Sequence, residues 1–203
     1  MGLLIDGEWH DEWYDTEKTG GHFVRHDSSF REWVGSGPDA RPFEPGRYHL
    51  YVSYACPWAH RTLIVRKLKQ IEAAIDVSVV HWLMLEEGWV FNAEHPDNEN
   101  HKQRLYEVYT LAKRDYSGRV TVPILWDKQT KSIVNNESAD IIRMFNADFA
   151  GNDLDLYPEN LRAEIDAVNA WVYDDVNNGV YKAGFATKQS VYEHAVERLF
   201  AAL

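Results

Sequence analysis

The fold is decided by Tyr48-His49-Leu50-Tyr51-Val52-Ser53-Tyr54-Ala55-Cys56-Pro57-Trp58-Ala59-His60-Arg61. Residues 48–53 are rich in β-formers, and the apolar positions of Thr62-Leu63-Ile64-Val65-Arg66-Lys67-Leu68 suit a helix. Cys56, the only cysteine of the chain, falls at the junction. Pro57 fits a first helical turn, which needs no N–H from it. A sulfur at that point lies where helix N–H groups are unsatisfied, and their field favours the thiolate. A lone free cysteine also reads as a small buried hydrophobe. The local pattern favours the reactive reading, and a titration of the thiol separates the two.

Outward from this junction, Val77-Ser78-Val79-Val80-His81 is a second strand and completes a βαβ start. A short helix is expected around Arg104–Ala112, inside the long polar and aromatic stretch from Trp82 to Arg119. Val120–Asp127 and Ser132–Val134, split by Lys128-Gln129-Thr130-Lys131, read as a hairpin, and a helix from Ser138 to Phe145 follows. Pro123 cannot donate to a ladder and marks an edge or a special turn. In a βαβ…ββα order it is read as a cis proline facing Cys56. The backbone of Val122 would then be exposed and able to pair with an extended peptide.

Asn136-Glu137-Ser138 supplies the third signal. Ser138 at a helix start offers N–H groups and a hydroxyl to a carboxylate, and Glu137 could accept from an ammonium group. An equally open reading makes Ser138 a simple cap and Glu137 a solvated acid.

Before Tyr48, residues 1–46 show little periodicity and carry Gly20-Gly21, Gly35-Ser36-Gly37-Pro38 and Pro45-Gly46 as breakers. Trp9, Trp13, Phe23, Phe30 and Trp33 are too many large aromatics for a disordered tail, so this extension is expected to pack on the body. After residue 148, Leu161, Ile165, Val168, Val172 and Val176 recur at helical spacing, and a last helix is expected from about Ser190. The expected domains are therefore 1–46, 47–147 and 148–203.

The chain has 32 acidic and 21 basic residues, a net charge of −11, which argues against a nucleic-acid partner. It has no apolar run long enough to span a bilayer, and its N-terminus lacks a signal-peptide pattern. With one cysteine and hence no intrachain disulfide, a cytoplasmic location is expected. His95 and His101 lack ligand spacing, so no metal is expected.

The quoted cysteine motif resembles the glutathionyl-hydroquinone reductases, the Xi-class glutathione transferases. So do Tyr116-Ser117-Gly118-Arg119-Val120-Thr121-Val122-Pro123-Ile124-Leu125-Trp126-Asp127, Ile133-Val134-Asn135-Asn136-Glu137-Ser138 and Asn177-Asn178-Gly179-Val180-Tyr181-Lys182-Ala183-Gly184-Phe185-Ala186. The resemblance implies an α/β thioredoxin-like domain followed by the first helices of an all-α domain. It implies Cys56 as nucleophile, with Trp89, Arg119, Val122, Glu137 and Ser138 holding glutathione, the co-substrate. Tyr173, Tyr181 and Lys182 would meet the hydroquinone, and no metal would take part. It further implies more helix beyond Leu203, which would complete the helical domain and much of a homodimer contact. Two alternatives stay open: an omega-like thioltransferase or dehydroascorbate reductase, which shares the same cysteine logic, and, from a different class, a non-catalytic thiol-binding fragment.

Overall fold

The computed structural model describes residues 2–149 and 151–203. They form two compact units, Met1–Glu12 with Ser28–Leu156, and Trp13–Asp27 with Tyr157–Leu203. The boundaries thus differ from those expected at 46/47 and 147/148. The N-terminal extension is shared between units, because its aromatic side chains have different partners along its length.

In the first unit, β1 (Leu3–Ile5) and β2 (Glu8–His10) form a hairpin. The sequence signal is Asp6-Gly7, both at positive φ (49° and 83°), the requirement of a type I′ turn. β3 (Tyr48–Val52) is buried at every residue. Cys56 then caps α1 (Pro57–Leu68), with Pro57 at the first helical position and Arg66 and Lys67 in the last turn. The helix ends at Leu68, and the chain then turns through Gln70 at φ 57°.

β4 (Ile75–Val79) lies parallel to β3, with Tyr48 opposite Ile75 and Val52 opposite Val79. That register ends the strand two residues before the expected His81, whose N–H bonds the Val90 carbonyl instead. α2 (Leu105–Ala112) starts at a Glu107 carboxylate that accepts the N–H groups of Gln103 and Arg104. β5 (Gly118–Arg119) pairs with β1.

β6 (Ile124–Asp127) pairs antiparallel with β3 and with β7 (Ser132–Asn135), so the main sheet runs β4-β3-β6-β7. The Val122–Pro123 bond is cis, and β6 begins only after it, since Pro123 has no N–H to give. α3 (Ser138–Ala147) follows and packs with α1. This is the βαβ…ββα order of a thioredoxin-like domain. Its core is Tyr48, Leu50, Ile124, Leu125, Trp126, Ile141 and Phe145, all with no exposed surface. At one end of β6, Arg41 and Arg47 both bond the fully buried Asp127, at 2.8 and 2.6 Å.

The second unit is helical. A 3₁₀ turn (Glu159–Leu161) leads into α4 (Arg162–Trp171), a π-helical turn (Val172–Asn177), α5 (Gly179–Gly184) and α6 (Gln189–Ala202). The stripe from Leu161 to Val176 is therefore spread over three elements, with Leu161 in the 3₁₀ turn, Ile165 and Val168 in α4, and Val172 and Val176 in the π turn. The break is marked by the Asn178 N–H, which reaches back to the Tyr173 carbonyl at 2.9 Å. α5 starts at Gly179, where a Cβ would stand 3.3 Å from Leu199 on α6, closer than ordinary packing allows. Residues 13–27 pack here: Phe23 stacks on Tyr181 and Phe185, Tyr14 meets both phenylalanines edge-on, and Arg25 Nε donates to Asn178 at 2.5 Å.

Candidate active site

The β3–α1 turn places the only sulfur. The Cys56 N–H is bonded to Ser53 and its carbonyl accepts from His60, so the backbone at the cap is fixed on both sides. The side chain makes no capping bond and is half-buried. Sγ lies 3.7 Å from the Val122 carbonyl, on the residue before the cis proline. The sequence reading of Cys56 opposite the Val122–Pro123 turn is what the fold provides. One expectation needs correcting: Val122 is 5% exposed, because its side chain joins the core and its carbonyl faces the sulfur.

The β7–α3 turn builds the second half. Asn135 Oδ1 accepts the Glu137 N–H at 2.7 Å, and Asn136 bonds Tyr109 and the Phe30 N–H, which fixes the double-asparagine approach. Glu137, not Ser138, is the cap of α3, its carboxylate accepting from the Ala139 N–H at 3.1 Å. Ser138 is the first helical residue and is 2% exposed.

Arg61 connects the halves. It lies one turn and a half along α1 from Cys56, and its Nε and Nη2 donate to Ser138 Oγ at 3.0 and 2.7 Å. Its Nη2 is also 3.6 Å from the Glu137 carboxylate, which Ser28 Oγ reaches at 3.1 Å. Sequence reading singled out neither Arg61 nor Ser28. The first had a signal, since it stands three residues after Trp58 on a helix, and its guanidinium sits 5.5 Å from that ring. The second had none, because only the fold brings residue 28 to residue 137.

Trp89 and Arg119, the remaining expected glutathione residues, have partners of their own. Trp89 is half-buried against the core, its carbonyl accepting from the Leu105 N–H. Arg119 belongs to β5, and its guanidinium donates to the Glu12 carbonyl. Tyr173, Tyr181 and Lys182 all lie in the helical unit. Tyr173 is 40% exposed, in the π turn. The Tyr181 ring stacks on Phe23, and the Arg25 guanidinium lies 4.4 Å from its centre. Lys182 donates to the Asp174 carboxylate at 2.5 Å. Among the described residues, no three His, Cys, Asp or Glu side chains gather as a metal site would require.

Residues 55–148 match the glutathione S-transferase N-terminal domain. The chain is 54% identical to the glutathionyl-hydroquinone reductase YqjG of Escherichia coli over 217 aligned residues, covering 100% of this chain and 66% of that protein. The glutathione-bound structure of YqjG superposes with a TM-score of 0.87 at 48% identity, covering 99% of this chain and 64% of that one. A Xi-class transferase from Natrialba magadii gives 0.89 at 46% identity, with 100% and 63% covered. The chain thus spans a little under two thirds of the length of these relatives. By sequence and by fold it is a homologue of the Xi-class glutathione transferases, the glutathionyl-hydroquinone reductases, and residues 55–148 form their N-terminal domain.

Proposed function

We propose that this chain carries the thiol-transfer site of a glutathione-dependent reductase that removes glutathione from glutathionyl-hydroquinones. One observation carries the reading: α1 presents Cys56 at its N-terminus and, through Arg61, holds the Glu137–Ser138 turn. A γ-glutamyl thiol has an ammonium and a carboxylate at one end and a sulfur some distance along. Glu137 is the partner for the ammonium, the Ser138 hydroxyl for the carboxylate, and the main chain of Val122 for the peptide between them. Trp89 and Arg119 are assigned to the same ligand, and Tyr173, Tyr181 and Lys182 to the hydroquinone, on the strength of the family likeness alone.

The chemistry balances with one cysteine. The Cys56 thiolate attacks the sulfur of the glutathionyl thioether, forming an S–S bond. The C–S bond breaks towards carbon, and that ring carbon takes up a proton to give the hydroquinone. A second glutathione thiolate then attacks the Cys56–glutathione disulfide, releasing oxidised glutathione and the Cys56 thiolate. The ring carbon is reduced by two electrons, and the two sulfurs that end as the disulfide come one from the thioether and one from the second glutathione thiol. Serine or tyrosine could not form the disulfide. Because the resting nucleophile must stay reduced, a reducing cytoplasmic setting fits this cycle.

The test is mass spectrometry of the protein after exposure to a glutathionyl-hydroquinone. A glutathione adduct on Cys56 together with free hydroquinone is expected. An adduct from glutathione disulfide but none from the thioether would replace this reading with an omega-like thioltransferase. No adduct from either would leave a thiol-binding fragment.

A further inference from the structure

We propose that Arg61 is a positioning residue for the γ-glutamyl carboxylate, acting through the proton of the Ser138 hydroxyl; this rests on the function proposed above. A hydroxyl has one O–H and two lone pairs, and its proton turns to suit its partners. Here two N–H groups of one guanidinium, Nε at 3.0 Å and Nη2 at 2.7 Å, approach the same Oγ. Ser138 is an acceptor towards Arg61, so its proton points away from the guanidinium. A hydroxyl preset as a donor selects an acceptor ligand, and a carboxylate is the strongest one a γ-glutamyl group offers.

Arg61 is itself held. The Trp58 ring lies 5.5 Å from its guanidinium carbon, and the Glu137 carboxylate stands 3.6 Å from Nη2. Ser138 is 2% exposed, so the direction of its proton is set in a place where water competes poorly. Lysine could not reproduce the arrangement, having one donating nitrogen where the guanidinium has a planar fork. Arg61 also sits on the helix that Cys56 caps, so the same element carries the nucleophile and sets the polarity of the binding turn.

The experiment compares two ligands on the whole chain by calorimetry: glutathione, and glutathione whose γ-glutamyl α-carboxylate is an amide. The wild type is expected to prefer the free acid by about tenfold or more, the range of a charge-assisted hydrogen bond. Arg61→Met should reduce that preference to less than about threefold, and Arg61→Lys should restore part of it. In a Ser138→Ala background, adding Arg61→Met should change the preference no further, because the route through the hydroxyl is already gone. A wild-type preference that survives in both Arg61 variants overturns this inference and leaves the function standing. An Arg61 effect that persists without the Ser138 hydroxyl overturns it too, because the guanidinium would then meet the carboxylate directly. A wild type indifferent to the amide overturns both the inference and the assignment of glutathione to this turn. Should Arg61→Met not fold, the Arg61→Lys and Ser138→Ala pair decides alone: an unchanged acid preference in Arg61→Lys refutes the role, and a reduced one that vanishes in Ser138→Ala supports it.

Discussion

At Cys56 two local effects oppose each other. The N-terminus of α1 stabilises an anion by up to about 2 kcal/mol in partly buried settings. The Val122 carbonyl, 3.7 Å from Sγ, favours the protonated thiol, but a sulfur donor at that length contributes well under about 1 kcal/mol. The helix wins, so the alkylation rate of Cys56 should rise with a midpoint below the value of about 8.5 for a free thiol. A midpoint at or above that value would make Cys56 a structural cysteine, and Cys56→Ser should abolish the adduct in any case. Glu137→Gln tests the ammonium partner while keeping an acceptor for the Ala139 N–H, so α3 stays capped. Glutathione affinity should fall about tenfold by titration, at roughly 1.4 kcal/mol per decade. At this scale Cys56, Val122, Glu137 and Ser138 were legible because each belongs to a short local motif. Ser28 was not, since its partner is 109 residues away in sequence.

Among the elements, β3 carries the clearest pH dependence. His49 is 2% exposed in the centre of the sheet, where burial depresses its imidazolium to about 4, helped by the positive charge of Lys128. Asp97 and Asp76 pull the other way and Arg66 adds to the depression. Its Nε2 bonds Ser78 on β4, and its Nδ1 is buried without a partner. Below pH ~6.5 the unfolded chain binds a proton that the folded chain refuses until about 4, so stability is full above ~6.5 and falls with pH across that window. Unfolding by urea at pH 7 and pH 5 should differ by about 2 kcal/mol in the wild type, and His49→Phe should remove most of that difference. Asp127 shows the companion case at lower pH. The paired Arg41 and Arg47 hold its carboxyl well below the usual range despite burial, so its contribution is lost only in stronger acid. The order of the elements in the sheet was readable from periodicity and from Pro123. The π turn was not, because Val172 and Val176 keep helical spacing whether the backbone bonds reach back four residues or five. The β1–β2 hairpin had a signal in Asp6-Gly7, but its strands are three residues long, too short for alternation to show.

In the molecule as a whole, polar and apolar surface are unevenly shared. The chain carries a net charge of −11, yet Val168, Trp171, Tyr192 and Phe200 of the helical unit remain well exposed, Phe200 at 70%. Exposed aromatic and aliphatic side chains on one unit favour association. The isolated chain should therefore bind a hydrophobic dye and show concentration-dependent sedimentation; a monomer that binds no dye and unfolds in one cooperative step would count against this.

The division of residues 1–46 between units makes the covalent connectivity a matter of weaving. The chain passes from one unit to the other at 12/13, returns at 27/28, and leaves again at 156/157. A genetic cut after Leu156 therefore does not yield a clean half. It leaves Tyr14, Phe23 and Arg25 without the Tyr181 and Phe185 rings and the Asn178 amide that occupy them. Proteolysis at that single point should likewise fail to release residues 157–203 under native conditions, because residues 13–27 still pack against them. Swapping the helical part between homologues would then require exchanging two separated stretches of sequence together, so that recombination at one crossover is penalised and the two stretches are inherited as a pair.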